Sequence, residues 1–443
     1  MHVAHARPLR VVAVCAALSL GFPARAEGPP AAPATDLPHP LTLAQALQIF
    51  RQHGFDLLVA EASVRSAEGD LLIARQLANP GLSLGAGKNF DCSDSQDCSA
   101  ISYSIGLSDS DALSTFLSGK YGLRREVAES ALAAARRSRD DAERTLEFQL
   151  KQAYISALQA QALRSAALET RDSNQRTLAL SRRRFALGAM NDGDLAKIEV
   201  AELEAEQALD QAEQNLRTAK VAVAFLLGFR SAIPDFQIDG KELDFAVPPA
   251  IARATRAALL KEGLEHRPDL RALVEQERRA EGGLRLARRN RLPDFGLSVT
   301  YTANGSGNSN VSPPNLSLGL TFDLPVFYRQ RGEIVKAEAD VSTQRLLREK
   351  AEATVVSDVE TAYAQLVAAR QLVERMEATL LRRARDARDI AEVQYQKGAA
   401  SLLDFLDAQR TYTATRTEYA QDLAGYWTAV AWLEEAVAEE LRS

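Results

Sequence analysis

A chain of 443 residues with 46% apolar, 25% charged and 6% aromatic side chains can bury large packed surfaces, and its 24 Gly and 16 Pro exclude collagen-like and low-complexity sequences. The 53 Lys and Arg stand against 59 Asp and Glu, a net charge of −6. No chain-wide cationic surface exists to neutralise phosphates, so nucleic acid is excluded as a general partner.

Residues 1–26 carry Arg7 and Arg10, an apolar stretch from Val11 to Phe22 and then Ala24-Arg25-Ala26, the pattern of a secretory signal cut before Glu27. Cys15 follows bulky Val14 inside that stretch, where lipidation would want a small residue. A Pro/Ala-rich leader fills 27–40, and no later segment reaches the roughly 18 apolar residues of a membrane helix.

An internal repeat then runs at a spacing of about 210 residues, a first copy over 41–230 and a second over 251–443, with 231–250 as linker. Asp56-Leu57 returns as Asp269-Leu270, Ala67-Glu68-Gly69 as Ala280-Glu281-Gly282, Pro80 as Pro293, and Tyr154 as Tyr363. Gly188 and Asp194 return as Gly398 and Asp404. Each copy reads as a helix, two short strands, a very long helix, a tight turn and a returning helix.

In the first copy the strands fall within 81–108. Ile101, Tyr103, Ile105 and Leu107 alternate with Ser102, Ser104, Gly106 and Ser108, behind a less regular partner opened by Leu82 and Leu84. The polar loop between them holds Cys92 and Cys98, a candidate disulfide in an exported protein, with two free thiols as the plain alternative. Residues 111–187 contain no Pro, so an uninterrupted helix there would be about 115 Å long. The returning helix carries Ala205, Leu209, Ala212, Leu216, Ala219 and Val223, a coiled-coil seam.

The second copy repeats the plan. Its strands, within 294–324, alternate Phe295, Leu297, Val299 and Tyr301, then Leu316, Leu318, Leu320, Phe322 and Leu324, with small polar residues. Leu406, Thr413, Ala420 and Trp427 recur every seven positions, beside Val356, Val359, Tyr363 and Leu366 on the preceding helix. The strands approach the ~9 to 11 residues of a tilted bilayer-spanning strand. A half-buried sheet in a soluble protein would show the same alternation. Four strands cannot close a membrane barrel, since the smallest have about eight, so several chains would have to contribute.

Two strand pairs, each interrupting a helical hairpin in a duplicated, exported chain, resemble the TolC-type outer-membrane efflux channels, possibly their heavy-metal branch. The stretch from Tyr395 through Gly398, Asp404 and Asp407 looks like the family signature at the last helical turn, and His266-Arg267-Pro268-Asp269-Leu270 like the opening of its second copy. The resemblance implies a mainly α fold with a small β membrane part: duplicated long helical hairpins forming an α-barrel, plus four strands per chain in a trimeric 12-stranded β-barrel. It also implies a passive exit duct in the outer membrane, extending into the periplasm of a Gram-negative bacterium. Such a duct serves a tripartite efflux or type I secretion system, through a periplasmic adaptor and an inner-membrane pump.

By the same resemblance, Asp404, Asp407 and Tyr395 would form the periplasmic entrance, with Asp194 and Lys197 at the first-copy positions of the two acids. Helical spacing puts Asp404 and Asp407 on one face. The turns Leu187-Gly188-Ala189 and Lys397-Gly398-Ala399 would meet the adaptor. Where some members have an arginine this chain has Ala400. Arg182, Arg183 and Arg184 could supply that charge, or could simply be a basic cluster near a helix end.

No enzyme is read here. His39, His53 and His266 lack metal-ligand spacing, and no phosphate-binding loop or nucleophile elbow occurs. Neither a cofactor nor a metal site is expected. The alternatives to a duct are a trimeric coiled-coil surface adhesin and a soluble periplasmic coiled-coil scaffold.

Overall fold

A computed structural model describes residues 37–88, 101–109, 111–230, 233, 235–305 and 314–441. The signal sequence, most of the leader and the Cys92/Cys98 pair lie outside the described residues.

The first copy comprises α1 (Leu43–His53), α2 (Phe55–Ala74), β1 (Gly81–Lys88), β2 (Ile101–Asp109), α3 (Ala112–Leu117), α4 (Lys120–Ala186) and α5 (Asp192–Leu226). A 3-10 turn at Gly240–Leu243 and α6 (Pro249–Arg253) connect it to the second copy. That copy contains α7 (Arg256–His266), α8 (Pro268–Arg289), β3 (Phe295–Gly305), β4 (Asn315–Phe322), α9 (Arg331–Arg375), α10 (Leu381–Gln396) and α11 (Leu402–Val437). Two expectations are corrected. The helix over 111–187 is interrupted, because Gly119 adopts φ 75° between α3 and the 67-residue α4. In the second copy the long helix that runs down to the Gly398 turn is likewise divided, a π-turn at Met376–Leu380 separating α9 from α10.

The four strands form one antiparallel sheet in the order β1-β2-β3-β4. Its two faces differ as alternation requires: Tyr103, Ile105, Leu107, Leu297, Val299 and Tyr301 are exposed, while Ser104, Ser108, Ser298 and Thr300 are half-sheltered and Gly106 is buried. A Cβ at Gly106 would stand 2.5 Å from Ser83 Oγ and 3.1 Å from Thr300 Oγ1, so a larger residue there would force both hydroxyls aside. Serines on that side donate across the ladder to glycine carbonyls, Ser102 to Gly87 at 3.0 Å and Ser83 to Gly106 at 3.3 Å. In the two inner strands, β2 and β3, small polar residues and glycine are sheltered while leucine and tyrosine are exposed, a pattern inverted for water and suited to lipid; the edge strands β1 and β4 are exposed on both faces.

The main apolar core sits midway along the helices. Tyr154 of α4, Val355 and Val359 of α9, and Tyr426 and Leu433 of α11 are all fully buried there. Short connecting segments cover it. Leu41 bridges to the linker, its N–H donating to Gln237 O at 2.7 Å, and Tyr154 donates to Leu41 O at 2.8 Å. The predicted seam of α5 holds, with Ala205, Leu209, Ala212 and Val223 buried. In the second copy Leu406, Ala420, Trp427, Val359 and Leu366 are buried, but Val356 faces out. Val359 and Leu366 lie seven apart and take the core-facing stripe; Val356 is turned some 60° off it.

Side by side, α2, α4, α8 and α9 form one helical layer, each touching the next. Below the core the succession is α5, α4, α11, α10. In all three layers the outermost elements are one from each copy: β1 and β4, α2 and α9, α5 and α10.

Candidate functional site

The long hairpins end in two turns of the same construction. The N–H of Gly188 donates to Phe185 O at 2.9 Å and that of Ala189 to Arg184 O at 2.9 Å. In the second copy Gly398 donates to Tyr395 O at 3.0 Å and Ala399 to Gln394 O at 2.8 Å. These paired bonds make a Schellman cap, which needs a left-handed residue at its end. Gly188 (φ 72°) and Gly398 (φ 77°) supply it. Leu187, Gly188, Ala189, Lys397, Gly398 and Ala399 are all exposed on these tips.

Three residues beyond each glycine the returning helix is capped by a side chain. Asn191 accepts from the N–H of Asp194 at 2.8 Å, and Ser401 accepts from the N–H of Asp404 at 3.2 Å. Asp404 closes a capping box, its Oδ2 taking bonds from Ser401 N at 3.1 Å and Ser401 Oγ at 2.7 Å. Those bonds, the side-chain one foremost, hold the Asp404 carboxyl below its ordinary range. Asp194 is lowered as well, first by Lys197, whose Nζ stands 2.9 Å away. The two copies therefore differ in charge at equivalent positions: an ion pair in the first, exposed Asp404 and Asp407 in the second. The capping role of Asp404 was not anticipated from spacing, although Ser401 three residues before an acid is its sequence mark.

Tyr395 is buried at the join between the two hairpins. Its hydroxyl is 2.9 Å from Ser181 Oγ on α4, and its ring stacks on Phe405 of α11 at 5.8 Å between centroids. On a third side Arg184 lies 4.7 Å from the ring centroid and donates to the carbonyls of Tyr395 and Gln396 at 2.9 and 3.0 Å. Arg184 thus meets both the π face and the negative end of α10. Arg182, by contrast, pairs with Glu199 of α5 at 3.1 Å. Of the arginine triplet, Arg184 is the member that reaches the tyrosine. Ser181 and Phe405 escaped the sequence reading; each belongs to a packing stripe of its helix, which does not single out one member. A small apolar core of Leu178, Ile198, Leu402, Phe405 and Leu406 encloses the group.

His266 ends α7 and bonds Glu262 at 2.7 Å, and Pro268 opens α8 as its first residue. The neighbouring Arg267 is buried between Asp269 and Asp358, each at 2.7 Å. That is a structural clamp between α8 and α9. Among the described residues no group of three or more His, Cys, Asp or Glu could hold a metal ion, and no helix is long and apolar enough to cross a membrane.

A family model described as outer membrane efflux protein matches residues 46–229 and 259–439, most of the chain in two successive segments. The cobalt-zinc-cadmium resistance protein CzcC of Cupriavidus metallidurans is 27% identical over 382 residues, covering 86% of each chain. Among solved structures, CusC superposes with a TM-score of 0.72 at 19% identity over 93% of this chain and 98% of its own. The CmeC outer membrane channel of Campylobacter jejuni gives 0.73 at 16% identity over 90% and 86%.

Proposed function

The chain belongs to the outer membrane efflux protein family, and from that premise we propose that three copies close into one continuous tube whose periplasmic entrance is formed by the hairpin tips. The protein is an outer-membrane efflux duct of a tripartite system, and it is not an enzyme. One observation carries the trimer: the sheet and both helical layers each leave unpaired edges, one from each copy, so a single lateral contact can satisfy β1 with β4, α2 with α9 and α5 with α10 of the next subunit. Open strand edges are not tolerated in lipid, which makes that closure a condition of insertion. Three sheets of four strands make twelve.

At the tips, Asp404 and Asp407 would repeat three times about the axis, a ring that favours cations. Tyr395, held by Ser181, Phe405 and Arg184, ties the second hairpin to the first and keeps the entrance narrow. Arg184 takes the place of the arginine that Ala400 lacks, reaching the tyrosine from the opposite hairpin. The exposed turns around Gly188 and Gly398 present small, well-capped tips to a periplasmic adaptor, which couples the duct to an inner-membrane pump. Metal cations are the cargo to test first, since a cobalt-zinc-cadmium resistance protein is among the similar chains. Planar-bilayer recordings of the purified protein test this reading: discrete cation-selective steps support it, and a silent bilayer contradicts it.

A further inference from the structure

Two outer helices of the lower layer, α5 and α10, expose charges of opposite sign at the same height, Glu206 and Asp210 on α5 and Arg382 and Arg383 on α10, the latter a turn above the exposed Asp386. The bonds of Gln175 to Glu202 and Arg164 to Glu213 set residues 202–213 of α5 beside residues 164–175 of α4. Arg388 of α10 reaches Glu169, in the middle of that same stretch. Nearer the tips Ser181 of α4 meets Tyr395 of α10, which sets Arg382 and Arg383 beside residues 168 and 169 of α4; Glu206 and Asp210, beside residues 171 and 167, are therefore level with them at the opposite edge of the protomer. All four side chains are exposed, and none forms an ion pair within the protomer among the described residues. The Glu206 carboxyl is raised by the charge of Glu202 first, against the opposing charge of Arg171, with Asp210 adding to the rise. Toward the tips both helices turn apolar, with Val200 and Leu203 exposed on α5 and Ile390 and Val393 exposed on α10.

From this we infer that Glu206 and Asp210 of one subunit clasp Arg382 and Arg383 of the next, above an apolar contact of Val200 and Leu203 with Ile390 and Val393. The occupant of each face is a second copy of this chain. Charge complementarity selects it, and rotation about the tube axis preserves height, bringing the acidic edge of one subunit to the basic edge of its neighbour. The duplication supports the same pairing, because the α4–α11 contact inside the protomer joins a descending helix of one copy to an ascending helix of the other. The contact of α10 with the neighbour's α5 is that pair with the copies exchanged. The inference rests on the trimer reading and adds to it the residues that hold the lower tube together. Exposed charges act over about 8 Å at physiological ionic strength, so the clasp should weaken with salt.

Charge reversal of the full-length protein in detergent tests it, with the fraction of trimer read by native mass spectrometry. At low salt, Arg382→Glu with Arg383→Glu, or Glu206→Arg with Asp210→Arg, should each deplete the trimer, and high salt should restore part of it. The fourfold exchange carrying both reversals should return the trimer to the wild-type level. Trimer unchanged by either single-edge reversal, or not recovered by the fourfold exchange, overturns the clasp while leaving the duct intact. A wild-type protein that is monomeric and gives no conductance would instead overturn the trimer reading itself.

Discussion

The hydroxyls of Ser181 and Tyr395 lie 2.9 Å apart at a buried position, one on each hairpin, and this bond joins the two copies beside a stacked ring and a guanidinium that serves two carbonyls. Tyr395→Phe removes the bond and keeps the ring. A net hydrogen bond is worth about 1 kcal/mol, so the open fraction of single channels should rise roughly fivefold. Arg184→Ala should act in the same direction, and Arg184→Lys should fall between, since lysine keeps the charge but loses the planar fork that serves two carbonyls. Single-channel recording of open probability checks all three.

Replacing both Asp404 and Asp407 by Ala should weaken cation selectivity, measured as a smaller reversal potential under a salt gradient. An unchanged reversal potential would count against the acidic ring.

The pH dependence of that ring follows from the capping box. Ser401 lowers the folded-state value of Asp404 below 3.8, so the stabilisation is fully present above pH 3.8 and is lost only as pH falls through the lower folded value. The Asp404 share of cation selectivity should therefore survive titration through pH 3.8, whereas Ser401→Ala should move its loss to higher pH. Reversal potentials recorded against pH in the two proteins decide this.

Gly188 and Gly398 are left-handed, and a Cβ at either would meet no atom within 4 Å. Gly188→Ala or Gly398→Ala should therefore cost only backbone strain, about 1 kcal/mol each, with trimer and conductance retained. Adaptor binding measured on the same variants separates tip shape from overall stability.

Lys120 is buried at the foot of the sheet, bonding Asp294 Oδ1 at 2.8 Å and Leu292 O at 2.9 Å, and Ser114 donates to the same carboxylate at 2.9 Å. This knot joins the first-copy helices to the start of β3. Breaking a fully buried pair costs about 3–5 kcal/mol, and because Asp294 is partly exposed, Lys120→Met should cost less, about 2 kcal/mol. The expected outcome is a lower thermal midpoint of the detergent-solubilised protein; an unchanged midpoint would remove the knot from the account.

Much of this architecture is legible in the sequence because its signals are local. Serine and leucine alternation gives the strands and their two faces. Gly188 and Gly398 mark turns whose left-handed geometry other residues resist, and the small-residue seam of α5 packs as its spacing implies. Other features depend on distance. Met376–Leu380 consists of ordinary helix formers, so nothing in it announces a π-turn, and Gly119 breaks a long helix that its neighbours would have continued. Arg184 stands in a triplet, and only the approach of α10 chooses it over Arg182 and Arg183. That choice is tertiary, made between residues more than 200 positions apart.

The number of chains in the purified particle tests the central claim most directly. Native mass spectrometry from detergent should give three copies, each cut after residue 26, because only a neighbour's β4 can pair the free edge of β1. A particle of one chain, stable without detergent, would mean that the apolar face of the sheet is covered by something other than lipid, and no duct would form.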